Sequence, residues 1–192
     1  MCKMKSGIIL KDRVFVPDYD SHTDMLNELN IKDTRKNAER LFVRAELSPT
    51  NNDVFSPIEN WEFNVDQDIV PDWFVKEVEK DRMIKAVKEW AKDHIHIGVD
   101  NLRISAGSNH YIKDCKNVKV WGNATVNEVC GNATVNKVWG NATVNKVCGN
   151  ATVNKVCGNA TVKCVFDNAT VKCVFDNATV KWVFNNATVN EV

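Results

Sequence analysis

The sequence predicts two unlike parts in one chain: an α+β capping domain over residues 1–117, then an all-β parallel β-solenoid over residues 118–192, with about 18 residues per coil and about four coils. Three observations predict it. Asparagine recurs at 123, 132, 141, 150, 159, 168, 177 and 186, a period of nine that never slips. Each of those eight repeats reads Asn-Ala-Thr-Val, so small or apolar residues alternate with polar ones. The stretch before Val118 shows no repeat and mixes helical with strand-like patterns.

Self-similarity at a short fixed period marks a solenoid, in which each unit buries its apolar face only by stacking on its neighbours. Gly-Asn turns and β-branched Thr and Val exclude a helical array. Nine residues are too few to close a coil around a packed interior, so two repeats make one turn. At an inter-strand spacing of roughly 4.8 Å, four coils stand about 19 Å tall. Within a unit, Ala124 and Val126 point inward while Thr125 and Asn127 face out. Val129 follows Val126 at an odd offset, which predicts a corner at Asn127-Glu128. The repeated Asn at the other corner is expected to stack on its copies and to pair its amide with backbone groups of the next coil.

The ninth position of the unit holds Trp121, Cys130, Trp139, Cys148, Cys157, Phe166, Phe175 and Phe184. It follows a valine directly, and two consecutive apolar residues cannot both face inward from a regular strand. Two readings stand: packing at a corner, or an exposed aromatic ladder that docks a partner. The partner-binding candidates are Trp121, Trp139, Phe166, Phe175, Trp182 and Phe184. An 18-residue coil sets Cys130 above Cys148, within reach of a disulfide, though a reducing compartment leaves both as thiols. Lys137, Lys146 and Lys155, with Lys163, Lys172 and Lys181, are expected as solvated charges that discourage sheet aggregation.

The core Gly122-Asn123-Ala124-Thr125-Val126 and its copies resemble the left-handed hexapeptide β-helix repeat and the related G-N-A-x-V tandem repeats of bacterial and phage proteins. The resemblance covers the 75 residues from Val118 onward, with a unit three residues longer than the hexapeptide. It implies the architecture. Such folds carry acyltransferases, decoys and scaffolds alike. The resemblance also implies a sharper expectation, an inhibitor from a phage or mobile element that blocks a host protein by docking on it.

In the N-terminal part, residues 8–16 alternate as a strand, and Ser21 or Asp24 caps a helix through Leu29. Residues 41–47 and 61–65 read as a pair of strands. Pro71 is expected to open the longest helix, whose apolar stripe is Val75, Val78, Ile84, Val87, Trp90 and Ala91. The acidic residues Asp66, Asp68 and Asp72 then sit at its N-terminus. Residues 94–99, 102–105 and 111–121 read as strands leading into the first coil. Two metal readings are weak. Asp18, Asp20, His22 and Asp24 resemble a calcium loop, but Thr23 stands where the sharp turn requires Gly. His94-x-His96 on one face of a strand, with His110 and Asp100, has zinc-ligand chemistry, yet such a pair is more often half-buried surface.

Composition bounds the function. With 44% hydrophobic and 26% charged residues the chain can build a core. Before Val118 it carries 18 basic and 21 acidic residues, and from Val118 onward 7 and 4, so neither part has the dense positive surface a nucleic-acid binder needs. No apolar run approaches the roughly 20 residues that span a bilayer, so no membrane anchor is expected. An odd seven cysteines, mostly at repeat positions, fit a cytoplasmic protein better than a disulfide framework.

The expected function is therefore non-enzymatic: a rigid β-solenoid surface for a protein partner, with no catalytic residue, no metal and no cofactor. The repeat runs to Val192 without a capping segment, so a homodimer through the C-terminal solenoid edge is expected. The alternatives are an acyltransferase-like enzyme of the hexapeptide type, disfavoured because no histidine follows His110, and a self-assembling structural module.

Overall fold

The computed structural model describes residues 5–191. They fall into two compact units, divided between Lys92 and Asp93.

The N-terminal unit is built on an antiparallel sheet of β1 (Lys5–Leu10), β2 (Val14–Phe15), β3 (Phe42–Ser48) and β4 (Glu62–Val65), in the order β2-β1-β3-β4. Residues 8–16 are thus not one strand. The charged turn Lys11-Asp12-Arg13 folds them into a hairpin, with Ile8 opposite Phe15. Helix α1 (His22–Glu28) starts where expected, because Ser21 Oγ accepts a hydrogen bond from the Asp24 backbone N–H. Met25 and Leu26 on that helix join Ile8, Ala38 and Phe42 in the core, Ala38 coming from the short helix α2 (Arg35–Ala38).

The longest helix, α3 (Lys76–His94), begins five residues after Pro71. Residues 71–75 form a turn, in which the Phe74 N–H donates to the Pro71 carbonyl and the Trp73 indole donates to the Arg40 carbonyl. The expected stripe also shifts. Val75 and Val78 are exposed, while the buried side carries Glu79, Met83, Val87 and Ala91 at intervals of four. Glu79 is tolerated there because Arg82 pairs with it at 2.7 Å and reaches on to the Leu10 carbonyl. The acidic residues of the first turn of α3 are Glu77 and Glu79, while Asp66 lies beside His22, Nδ1 to Oδ2 3.1 Å.

The second unit is a parallel β-solenoid. Strands β5 (Ile95–Ile97), β7 (His110–Lys113), β9 (Thr125–Cys130), β11 (Thr143–Val147), β13 (Thr161–Val165) and β15 (Thr179–Val183) stack as one six-stranded sheet. The facing sheet stacks β6 (Arg103–Ile104), β8 (Val118–Val120), β10 (Thr134–Val138), β12 (Thr152–Val156), β14 (Thr170–Val174) and β16 (Thr188–Glu191). Each coil takes 18 residues in the repeats, with Thr143 level with Thr161 and Val144 with Val162.

The stack is longer than the repeats alone predict, about five turns, because the parallel ladder already begins at Ile95. Residues 111–121 are not one strand but two, β7 and β8 on opposite sheets, turned by Asp114 and Asn117 at positive φ. Ile104, Ile112, Val118 and Val120 fill the interior positions that Val holds in later coils.

The repeat chemistry works as the sequence implies. Alanines from Ala124 to Ala169 and valines from Val126 to Val171 are almost fully buried in one continuous core. Val144 and Val147, three apart, are both buried, so the chain bends between them; the ladder pairs Val144 and Lys146 and skips Asn145. The expected corner is therefore a bend inside a strand. At the true turns, the position before each Asn lies at φ near +65°, taken by Gly122, Gly131, Gly140, Gly149 and Gly158. A Cβ on Gly140 meets the Gly122 backbone N at 3.1 Å. Later coils put Asp167 and Asp176 there instead, residues that tolerate this conformation, and their carboxylates accept hydrogen bonds from Gly149 N and Gly158 N at 3.0 Å.

The corner asparagines form two side-chain ladders. Asn177 donates to Asn159, Asn159 to Asn141 and Asn141 to Asn123, while Asn186, Asn168, Asn150 and Asn132 make the second, all at 3.3–3.4 Å. The amides thus pair with each other from coil to coil, not with backbone as expected. An amide carries both donor and acceptor, so identical side chains one rung apart satisfy one another.

Candidate functional site

Because two repeats make one coil, the ninth-position residues divide between opposite corners. One column holds Trp121, Trp139, Cys157 and Phe175, and the other Cys130, Cys148, Phe166 and Phe184. In-register stacking puts like residues one rung apart. Trp121 and Trp139 stack with ring centroids 5.1 Å apart, and Phe166 and Phe184 at 4.9 Å, both pairs 12° from parallel. The candidates are therefore not one continuous surface. Phe166, Trp182 and Phe184 belong to one side, Trp121, Trp139 and Phe175 to the other.

Their exposure changes along the stack. The three cysteines of these columns are buried, and Trp121, Trp139 and Phe166 are half-buried, which is corner packing. Phe175 at 42%, Phe184 at 44% and Trp182 at 61% are exposed, together with Val183 at 44%. Corner packing thus holds in the early coils, whereas the rings of the last ones are exposed.

The lysines are less free than the sequence implies. Lys137 lies over the Trp139 ring at 5.1 Å, Lys155 over Phe175 at 4.7 Å and Lys146 over Phe166 at 5.8 Å. Each such contact contributes about 0.5–1 kcal/mol at an exposed site. The last two reach a ring in the next coil, a relation visible only once the coil length is known.

One corner is polar inside. Glu128 is buried and accepts from Lys146 Nζ at 3.5 Å and Cys148 Sγ at 3.4 Å. Cys130 and Cys148 are free thiols in successive coils. The Cys130 thiol is pushed up by its hydrogen bond to Cys148 and by burial, and the same bond lowers Cys148.

Three of the four histidines, His94, His96 and His110, gather at the first coil. His94 closes helix α3, so it does not share a strand face with His96 as expected, yet both rings stack on His110, at 5.3 and 5.8 Å. Stacked faces leave the ring nitrogens at the edges, not converging on a chelated ion. His96 Nε2 is buried without a hydrogen-bond partner. Burial, then His110 and His94, hold the His96 imidazolium below its usual range, opposed only by nearby Asp93. A folded-state value below the unfolded one means that stability is complete above about pH 6.5 and drains away as pH falls through the folded value. Thermal melts should therefore be level above pH 7 and fall on acidification, and His96→Phe should flatten the acid limb; an unchanged limb in that variant rejects the stack as its cause.

Among the described residues, no helix is long and apolar enough to cross a membrane. No protein-family model matches the chain, and neither a curated protein nor a solved structure matches it. The fold itself defines the class: a tandem-repeat parallel β-solenoid attached to an α+β unit.

Proposed function

We propose that this chain is a non-enzymatic interaction protein that docks a protein partner on the exposed aromatic side of its last coils. The observation that carries this reading is the cluster Trp182, Val183 and Phe184, with Phe166 stacked behind it, exposed on the last described coil. Rigid aromatic side chains are what protein interfaces use as anchors, because they bury much area at little entropic cost. The repeats contain no histidine to serve as an acyl-transfer base, which supports a binding role over the acyltransferase alternative. The G-N-A-x-V resemblance supports a decoy or inhibitor of a host protein as the specific form of that role.

The two columns make the test selective. Affinity capture with Phe166, Trp182 and Phe184 changed together to Ser is expected to lose the partner that wild type retains. The same substitutions at Trp139 and Phe175, on the opposite corner, are expected to keep it. Equal recovery by both variants, with the strand signal of each intact, overturns the docking face. Strands β15 and β16 are the last strands of the two sheets among the described residues, and the reading includes a homodimer formed along that edge. A second copy covering that edge gives a dimer by light scattering, whereas mass that keeps growing with concentration favours the self-assembling module.

A further inference from the structure

His22, Glu46 and Asp66 lie in three separate elements of the N-terminal unit, yet one ligand-capable atom from each comes within 4.8 Å of the other two. They are the one such trio of His, Cys or acidic groups among the described residues. His22 is the first residue of α1, Glu46 sits on the central strand β3, and Asp66 follows β4 directly.

The His22 ring is about nine-tenths buried. Its Nε2 lies 3.3 Å from the Ala45 carbonyl oxygen, an acceptor, so that contact requires the hydrogen to be on Nε2. Its Nδ1 lies 3.1 Å from Asp66 Oδ2, also an acceptor, a contact met either by a proton on Nδ1 or by a cation held between the two atoms. Among the described residues no lysine or arginine pairs with Glu46 or Asp66. Arg44, on the same face of β3, is taken by Asp33, and Lys5 is held by Asp20.

We infer that these three side chains bind a divalent transition-metal ion of the zinc class. A tetrahedral ion with bonds of about 2.0–2.1 Å needs its ligands about 3.3 Å apart. His22 and Asp66 already have about that spacing, and the Glu46 carboxylate lies within 4.8 Å of both. The Nε2–H bond to a backbone carbonyl is the second-shell contact that fixes the tautomer of a metal-bound histidine. One nitrogen and two carboxylate oxygens, with a fourth position for water, suit zinc better than calcium, which takes six to eight oxygens.

Cobalt(II) is the probe, because its spectrum reports the ligands and the chain also has seven cysteines. Titrated into the full reduced chain, it is expected to give tetrahedral visible bands without a thiolate charge-transfer band, and zinc is expected to displace it. Glu46→Gln and Asp66→Asn, near-isosteric changes, are expected to weaken binding about tenfold or more. His22→Gln should abolish it. Three results overturn the assignment: no cobalt binding, which leaves a proton on Nδ1 as the charge; a thiolate band; or equal affinity in wild type, Glu46→Gln and Asp66→Asn.

Discussion

Replacing Val144 with aspartate is expected to destroy the solenoid, with loss of its strand signal in circular dichroism at room temperature. Val144 is fully buried at the centre of the stack, level with Val126 and Val162. A carboxylate there has no partner, and burying it costs more than about 4 kcal/mol. Solenoid stability is close to a sum of nearest-neighbour interfaces, so a failed middle coil removes support on both sides. The adjacent Thr143 points outward, and Thr143→Ser is expected to move the melting transition by no more than the equivalent of about 0.5 kcal/mol. A wild-type melt from Val144→Asp would mean that the alternation is read on the wrong face.

The second large effect is expected at Asp20 in the N-terminal unit. Lys5 is almost completely buried, with its ammonium 2.7 Å from Asp20 Oδ1, 3.2 Å from the Tyr19 carbonyl and 4.9 Å over the Trp90 ring. Burial already lowers the Lys5 pKa, and the Asp20 carboxylate works against that loss. Asp20 also accepts from the Ser6 N–H at 3.2 Å. Asp20→Ala strands a buried cation and is expected to cost about 3 kcal/mol, read as a lower denaturant midpoint by tryptophan fluorescence. Lys5→Met combined with Asp20→Asn removes both charges and is expected to recover most of the loss. A single variant that unfolds like wild type would show that water reaches Lys5.

How much was legible in the sequence follows from where the information lies. The repeats announce their own geometry: asparagine every nine residues fixes the coil, and Ala124 and Val126 against Thr125 and Asn127 fix the faces. The earliest coils were hidden because their turns use Asn101, Asn109, Asp114 and Asn117 in place of Gly-Asn, so no period shows although the interior positions are the same. The start of α3 was misplaced because Val75 and Val78 look like core, whereas the buried line runs through Glu79, a charge that only its pairing with Arg82 makes acceptable. The aromatic positions could be named from the repeat, but their division between two corners needed the coil length. His22, Glu46 and Asp66 carry no joint signal in the sequence, since a cluster assembled from three elements has no spacing to read.

The two-repeat coil also sets a rule for changes in length. Inserting or deleting 18 residues adds or removes one rung and leaves every downstream ring above its former neighbours. An indel of nine residues keeps the interior equally well filled, because all the repeats share the same alanines and valines. It nevertheless carries each later aromatic side chain to the opposite edge of the molecule, so that Phe166 would follow the tryptophans and Phe175 the cysteines. Such an alteration is nearly silent for folding and inverts the displayed surface, which makes even multiples of the unit the currency in which a protein of this build can grow without changing its face.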